Sequence, residues 1–453
     1  MPLSLLTIGS HLDPERFDVV IVDGRLSSDP VASVLEHLDD AVCLGVTVLT
    51  GAPIRDAVRI STAAKDRFPQ VPVVWGGWHP SMFGLECLEH PAVDVTVQGQ
   101  GESTFAEIVD RLIAGDTLEG CLGCAFKRHG SPTMNPPRPL MGLSEFRPHD
   151  YDLIDVGRYF DLKNRRQLDY ISSQGCHFRC AFCADPFVYN RRWEGLEPER
   201  MGAELEALWH RYRFDDVNFQ DETFFTYEKR VAAVAEELIA RQLPISWAAT
   251  MRADQCFRMS DEVFATCKRS GLRRVIVGVE SGSQEMMDRI KKDIKLEHVV
   301  FAAERCRHYG IAAHFPFIVG FPDEPDESVA ATLAMAKQLS DMSPLFDTPI
   351  FYFRPYPGTE ITQHAVASGY VLPNTLEEWA EFDYVDSRGP WVSPEKYRRV
   401  ERFKFYQKLS RGQVHWSQRP FQKLARWRMR SGVYSLPIEK NIAHWIRPPV
   451  ELS

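Results

Sequence analysis

Tyr170-Ile-Ser-Ser-Gln-Gly-Cys-His-Phe-Arg-Cys-Ala-Phe-Cys183 is the most informative stretch of the chain. It sets Cys176, Cys180 and Cys183 at C-x3-C-x2-C spacing directly after Tyr170–Ser173, an apolar run that reads as a strand. Three thiolates can hold three irons of a cubane cluster and leave the fourth iron open. Gly175 permits a sharp turn into such a loop. A structural zinc ion wants four ligands, and His177 stands too close to Cys176 for an easy tetrahedral fit. Three inert, buried cysteines are the third alternative.

Downstream, apolar runs alternate with helical periodicity. Strands are expected at Asp216–Gln220, Ser246–Thr250, Val275–Val279, Ala312–Val319 and Thr348–Phe353. Helices are expected at about 198–212, 228–241, 260–270, 284–308 and 327–340. With Tyr170–Ser173 this gives six β/α repeats, a partial barrel with its chemistry at the carboxyl ends of the strands. Upstream, Asp18–Asp23, Ala41–Leu49, Val71–Trp75 and Asp94–Val97 read as strands, with helices at Val31–Leu38 and Pro53–Phe68, the pattern of parallel βαβ units. Strand ends at Thr47–Thr50, Gly76-Gly77-Trp78 and Gln98–Gly101 would line a ligand crevice, or be plain turns. The Pro-rich stretch Ser131–Pro148 reads as a linker. Cys121 and Cys124 resemble half a zinc site, but no second half lies nearby, which favours structural or incidental cysteines.

The bulk properties fit an enzyme of several domains. The chain has 453 residues, 44% hydrophobic and 25% charged, with a net charge of −9. That acidity argues against a general nucleic-acid binder. Positive charge gathers late: from Glu395 onward there are 14 Lys/Arg and 4 Asp/Glu. The start has no basic, apolar leader pattern, and no run of 18 apolar residues occurs. The ten scattered cysteines fit a reducing, cytoplasmic setting.

The cysteine motif, with Phe182 before its last cysteine, resembles the radical S-adenosylmethionine (SAM) superfamily. The likeness continues in Asp221-Glu-Thr-Phe224, in Arg252 and Asp254, in Gly278-Val-Glu-Ser-Gly-Ser283, in Phe317-Ile-Val-Gly-Phe-Pro322 and in Arg354-Pro-Tyr-Pro-Gly-Thr359. It implies a [4Fe–4S] cluster on Cys176, Cys180 and Cys183 whose open iron is chelated by SAM, and a 5′-deoxyadenosyl radical after one-electron reduction. It implies SAM contacts from Phe182, Asp221, Glu222, Arg252, Glu280, Ser281 and Gly320. Taken on their own, Asp221 and Glu222 could cap a helix, and Glu280 could pair with Arg273 or Arg252 as a structural ion pair.

Val46–Gly51, Val73–Pro80 and Val97–Thr104, with Asp150–Ile154 and Arg158–Phe160, resemble the class that carries a cobalamin-binding domain before the barrel. That class comprises methylases of unactivated carbon or phosphorus and the anaerobic magnesium-protoporphyrin monomethyl ester cyclase. The likeness implies cobalamin contacts from Thr47, Val48, Thr50, Gly76, Gly77, Trp78, Gly99, Gln100 and Gly101. Three departures stand out: no Asp-x-His-x-x-Gly loop, no first strand of the usual domain, and Gln100 where the class carries Glu. The expected layout is a Rossmann-like cobalamin domain over 1–128, a linker over 129–165, the barrel over 166–360 and a helical, basic and aromatic tail over 361–453. The implied activity is cobalamin-dependent methylation of an unactivated carbon in a small molecule; oxidative cyclisation is the alternative. A flavodoxin- or ferredoxin-like electron donor is expected. RNA methylthiolation is disfavoured, because the extra cluster cysteines of those enzymes do not recur; a zinc scaffold would show zinc and no iron. Trp416, Arg426, Trp427, Arg428, Arg430 and Trp445 suggest a tail that rests on a membrane surface or caps the barrel mouth.

Overall fold

In the computed structural model, residues 1–382, 388–412 and 414–434 are described; the side chains of Pro186, Phe187 and Ser417 are not. Trp445 lies outside these residues. The chain divides into two compact units. The first comprises 1–251, 258–275 and 355–384, and the second comprises 252–257, 276–354 and 385–453.

The first unit opens with the helix Leu3–His11, which sequence periodicity did not indicate. The expected strand at Asp18–Asp23 is absent: the segment is irregular, because no neighbouring strand accepts its backbone groups. The first sheet holds β1 (Leu44–Thr47), β2 (Val73–Gly76), β3 (Val95–Val97), β4 (Cys124–Arg128) and β5 (Ser131–Met134), in that order. β1, β2 and β3 are parallel, with Leu44 opposite Val73 and Val74 opposite Val95. β4 and β5 turn back antiparallel. Two expectations are corrected. The continuous apolar run Ala41–Leu49 implies a strand buried on both faces, but β1 lies at the sheet edge and alternates between half-buried and exposed. Ser131–Met134 was read as linker, but it is the outermost strand, where Pro132 costs no ladder bond that the sheet needs.

Val48, Ile54, Val73 and Trp75 fill one core of this sheet. Leu376, Trp379, Ala380 and Phe382 complete the same core. Part of the expected tail therefore belongs to the N-terminal sheet, and Arg55 pairs with Glu381 at 2.5 Å across that contact.

Further along the first unit, β6 (Gln167–Tyr170), β7 (Ser173–Gly175), β8 (Trp193–Gly195), β9 (Asp216–Phe219) and β10 (Ser246–Met251) follow. β6, β9 and β10 run parallel, so Gln167 and Ser246 both face Asp216. The helices Pro198–Tyr212 and Glu228–Ala240 supply the crossovers. β11 (Leu272–Val277) begins in the first unit and ends in the second.

The second unit carries β12 (Ala312–His314), β13 (Phe317–Val319), β14 (Phe346–Asp347) and β15 (Ile350–Tyr352), paired β12 with β14 and β13 with β15, all parallel. The single helix expected over 284–308 is two, Gln284–Arg289 and Leu296–His308. Lys291 at φ 52° and Asp293 at φ 55° break it, since left-handed residues end an α-helix. The tail is helical at Pro394–Arg411 and Arg419–Ser431. No helix among the described residues is long and apolar enough to cross a membrane.

Candidate functional site

β7 and β8 form an antiparallel ladder, Ser173 opposite Gly195 and Gly175 opposite Trp193. The ladder closes the base of a loop that contains Cys176, Cys180 and Cys183. Gly175 makes the entry at φ 77°, and a side chain there would run into the Arg192 carbonyl and the Tyr189 ring. Only glycine meets both demands without strain. The Cys183 N–H donates to the Cys180 carbonyl at 3.2 Å, folding the second half of the motif into one turn.

All three thiols are half-buried, whereas Cys87, Cys121, Cys124, Cys256, Cys267 and Cys306 are buried. Burial first, and then the charges of Asp185, Cys180 and Cys176, push the Cys183 thiol up to about 12, against the Asp185 N–H, which lowers it. Among the described residues no three His, Cys, Asp or Glu are placed to share a single metal ion. A cubane makes a different demand, one thiolate on each of three iron corners. Three half-buried thiols carried on one loop fit that group. Cys121 and Cys124 are structural: the Cys124 thiol donates to the Cys121 carbonyl at 3.3 Å and accepts from Asn135 at 3.4 Å.

Two of the expected SAM residues lie at the end of β9, and both reach back to the cysteine loop. Asp221 accepts from Ser172 N–H at 2.8 Å and from the Ser172 and Ser173 hydroxyls at 2.6 Å each. Its carboxylate therefore ties β9 to the break between β6 and β7. Glu222 accepts the Gly175 N–H at 3.1 Å. Glu222 is exposed, yet loss of solvation raises its carboxyl to about 7. Phe182 is half-buried on the loop itself.

Arg252, Glu280, Ser281 and Gly320 belong to the second unit. Glu280, for which an ion pair with Arg252 or Arg273 was the alternative to a SAM contact, meets Lys292 at 2.7 Å, with both side chains buried. Arg252 donates to the Lys292 carbonyl at 2.6 Å and pairs with Asp254 at 3.0 Å. Arg273 is used elsewhere, against Asp216 at 2.5 Å. Glu280 sits at φ 68°, held by Ile318 N–H donating to its carbonyl at 2.7 Å. Ser281 is buried against the Thr332 hydroxyl at 3.2 Å. The Gly320 carbonyl accepts from Trp391 at 2.7 Å. Lys292 was not singled out in the sequence: a lysine in a Lys-Lys-Asp turn carries no signal of burial.

In the N-terminal sheet the expected cobalamin residues separate into covered and open ones. Thr47 and Gly77 are exposed. At Gly77, φ 98°, an added Cβ would lie 3.0 Å from the Val48 carbonyl. Gly76, Trp78, Gly99, Gln100 and Gly101 are half-buried, and Val48 and Thr50 are buried. Gln100 accepts the Met141 N–H at 2.8 Å and donates to Gln174 at 3.4 Å, linking the β3 turn to the cysteine loop. His79, missed in the sequence, is fully buried beside Thr50 at 3.2 Å. Its Nε2 has no partner among the described residues, and burial lowers it to about 4. An open glycine edge beside an orphaned imidazole nitrogen fits a large, amide-rich ligand such as cobalamin.

Comparison with known proteins agrees with this geometry. The radical SAM superfamily model matches residues 170–336 and the B12-binding domain model matches 1–109. An uncharacterized methyltransferase of Pyrococcus horikoshii is 32% identical over 398 residues, covering 85% of this chain and 82% of that one. An anaerobic magnesium-protoporphyrin IX monomethyl ester cyclase of Synechocystis is 25% identical, covering 73% and 67%. Among solved structures, the radical SAM methyltransferase TsrM of Kitasatospora setae, with tryptophan and a SAM analogue bound, superposes at a TM-score of 0.69 with 20% identity, covering 82% and 74%.

Proposed function

The chain belongs to the cobalamin-dependent radical SAM methyltransferase family, and from that premise we propose that it methylates an unactivated carbon of a small molecule. One observation carries the reading: three half-buried thiols on a single loop whose entry is bonded to Glu222 through Gly175 and tied to the glycine turn of the N-terminal sheet through Gln174. The bound cofactors supply a carbon-centred radical from SAM and a methyl group from cobalamin.

The chain's own residues bind and position. Cys176, Cys180 and Cys183 hold the cluster, with Phe182 against it. Glu222 receives the SAM ammonium beside the cysteine loop. Asp221 keeps β7 and β9 in register through its serine bonds. Arg252, Glu280, Ser281 and Gly320 contact the rest of SAM, with Glu280 oriented by Lys292. Thr47, Gly77 and Gly99 give cobalamin a close backbone approach, while Val48, Thr50, Gly76, Trp78, Gln100 and Gly101 shape the crevice.

The test is anaerobic reconstitution with iron and sulfide, then SAM and a reductant. About four irons per chain, 5′-deoxyadenosine as product and a cobalamin spectrum altered by the protein are expected. Cys180→Ala abolishes the cleavage; a variant that retained it would overturn the ligand assignment. Because several relatives are cyclases, product analysis also looks for loss of hydrogen without methyl gain, the result that favours oxidative cyclisation.

The reading also places the protein in the cytoplasm, supplied with electrons by a flavodoxin or ferredoxin. Exposed Trp416 and Trp427, at 71% and 54%, stand among basic residues near the helix Arg419–Ser431 and support contact with an anionic lipid surface. Arg428 takes no part, being buried. Flotation with anionic vesicles at low salt checks this; protein left in the bottom fraction would remove it.

A further inference from the structure

The helix Pro394–Arg411 buries Val400, Phe403 and Tyr406 and keeps a charged face outward. Glu395, Arg398, Arg399 and Arg402 stand at i, i+3, i+4 and i+7 along it, the spacing of one helical face. With Tyr434 they line a cavity of about 500 Å³. All five residues belong to the second unit. The Tyr434 wall is fixed from behind: its ring stacks on Tyr406 at 6.1 Å and meets Phe403 edge-on at 5.7 Å. Gly432 ends the helix Arg419–Ser431 at φ 70°, and Arg428 donates to the Val433 carbonyl at 3.1 Å, so the backbone enters Tyr434 along a set path.

Other cations of the same helix are occupied: Lys396 meets Asp326 at 3.3 Å, Lys404 meets Glu401 at 2.9 Å, and Arg411 donates to the Ser343 carbonyl at 2.7 Å. Arg398, Arg399 and Arg402 make no ion pair or side-chain hydrogen bond to any described residue. Three guanidiniums against the single carboxylate of Glu395 leave the lining with a net charge of +2. Like charges one helical turn apart repel, so the arrangement lacks an anion. A guanidinium presents a planar fork of donors that matches phosphate oxygens. A phosphate monoester carries between about 1.5 and 2 negative charges at neutral pH, close to what the lining lacks. The volume exceeds what phosphate alone needs and falls in the range of small-molecule sites, roughly 300 to 1,000 Å³. The organic part of an ester therefore has room beside the Tyr434 ring.

We propose that Arg398, Arg399, Arg402 and Tyr434 form a binding site for a phosphate monoester. The arginines take the phosphoryl oxygens, Tyr434 packs on the organic part, and Glu395 limits the charge accepted to that of one phosphoryl group. The site uses none of the residues assigned to the cluster, SAM or cobalamin, so it stands independently of the proposed methyl transfer. The phosphoryl group belongs either to a free metabolite or to a lipid headgroup of the phosphatidic acid type; the recognising chemistry is the same.

The probes are glycerol 3-phosphate, glycerol as its neutral counterpart, and phosphatidylcholine vesicles with or without phosphatidic acid. Each is tested on the full-length holoenzyme at about 0.15 M salt, where attraction between distant charges is screened. Calorimetry should show saturable binding of one glycerol 3-phosphate per chain and none of glycerol. Arg398→Gln and Arg402→Gln should each weaken that binding about tenfold or more, the loss of a charged hydrogen bond. Arg307→Gln, which removes an exposed arginine elsewhere in the second unit, should leave it unchanged. Circular dichroism checks that the variants are folded. Binding of glycerol 3-phosphate assigns a soluble ester. Flotation with phosphatidic acid vesicles alone, lost in the same two variants, assigns a lipid headgroup. Either result supports the site. No saturable binding in either arm overturns it. So does binding that survives both substitutions, or one weakened equally by Arg307→Gln, since only overall charge would then be at work.

Discussion

Glu280 and Lys292 meet at 2.7 Å with side chains 9% and 8% exposed, so neither charge can be removed without stranding the other. Breaking one side of a buried pair typically costs about 3–5 kcal/mol. Lys292→Met should therefore lower stability by that order, measured by denaturant unfolding of the apoprotein. It should also raise the KM for SAM through the misplaced Glu280 carboxylate, with Lys292→Arg restoring part of both. Gly77 is constrained in a different way. Gly77→Ala adds a methyl group at φ 98° against the Val48 carbonyl and should cost about 1–3 kcal/mol of folding stability. Residue identity foretold the glycine, because a Gly-Gly pair after a strand signals unusual backbone. It did not foretell the lysine, whose burial depends on where the broken helix after Arg289 turns.

At the scale of elements, the β1–β2 edge depends on a neutral histidine and a borrowed helix. His79 is lowered to about 4 by burial, from an ordinary value near 6.5. The unfolded chain therefore takes up the proton first as pH falls. Stability contributed by neutral His79 is present above about pH 6.5 and is lost between there and about pH 4, up to roughly 3 kcal/mol. Thermal unfolding across that range should show the slope, and His79→Asn should flatten it. Trp379 packs on the His79 ring at 5.6 Å from the helix Leu376–Ala380. Trp379→Ala should cost about 3–5 kcal/mol and release that helix, seen as faster amide exchange in Leu376–Ala380 and β1. Most elements were legible from periodicity: Pro53–Arg67, Pro198–Tyr212 and Asp216–Phe219 lie within a residue or two of expectation. Asp18–Asp23 misled because an apolar run becomes a strand only if another strand offers its backbone groups.

For the molecule as a whole, family and chemistry were readable before the fold. The proposed cluster ligation is local: Cys176, Cys180 and Cys183 lie within one loop, so their spacing alone suggests a three-thiolate donor set. Strand–helix alternation likewise announces parallel units, because hydrophobic period follows backbone geometry. Pairings between residues far apart in sequence were decided only by tertiary structure. Lys292 rather than Arg252 or Arg273 neutralises Glu280, Leu376–Phe382 closes the N-terminal core, and Asp185 is enclosed without a hydrogen-bond partner among the described residues. Burial sets the cost of each charge and the need for each partner, and burial is a property of the packed chain that no local pattern encodes.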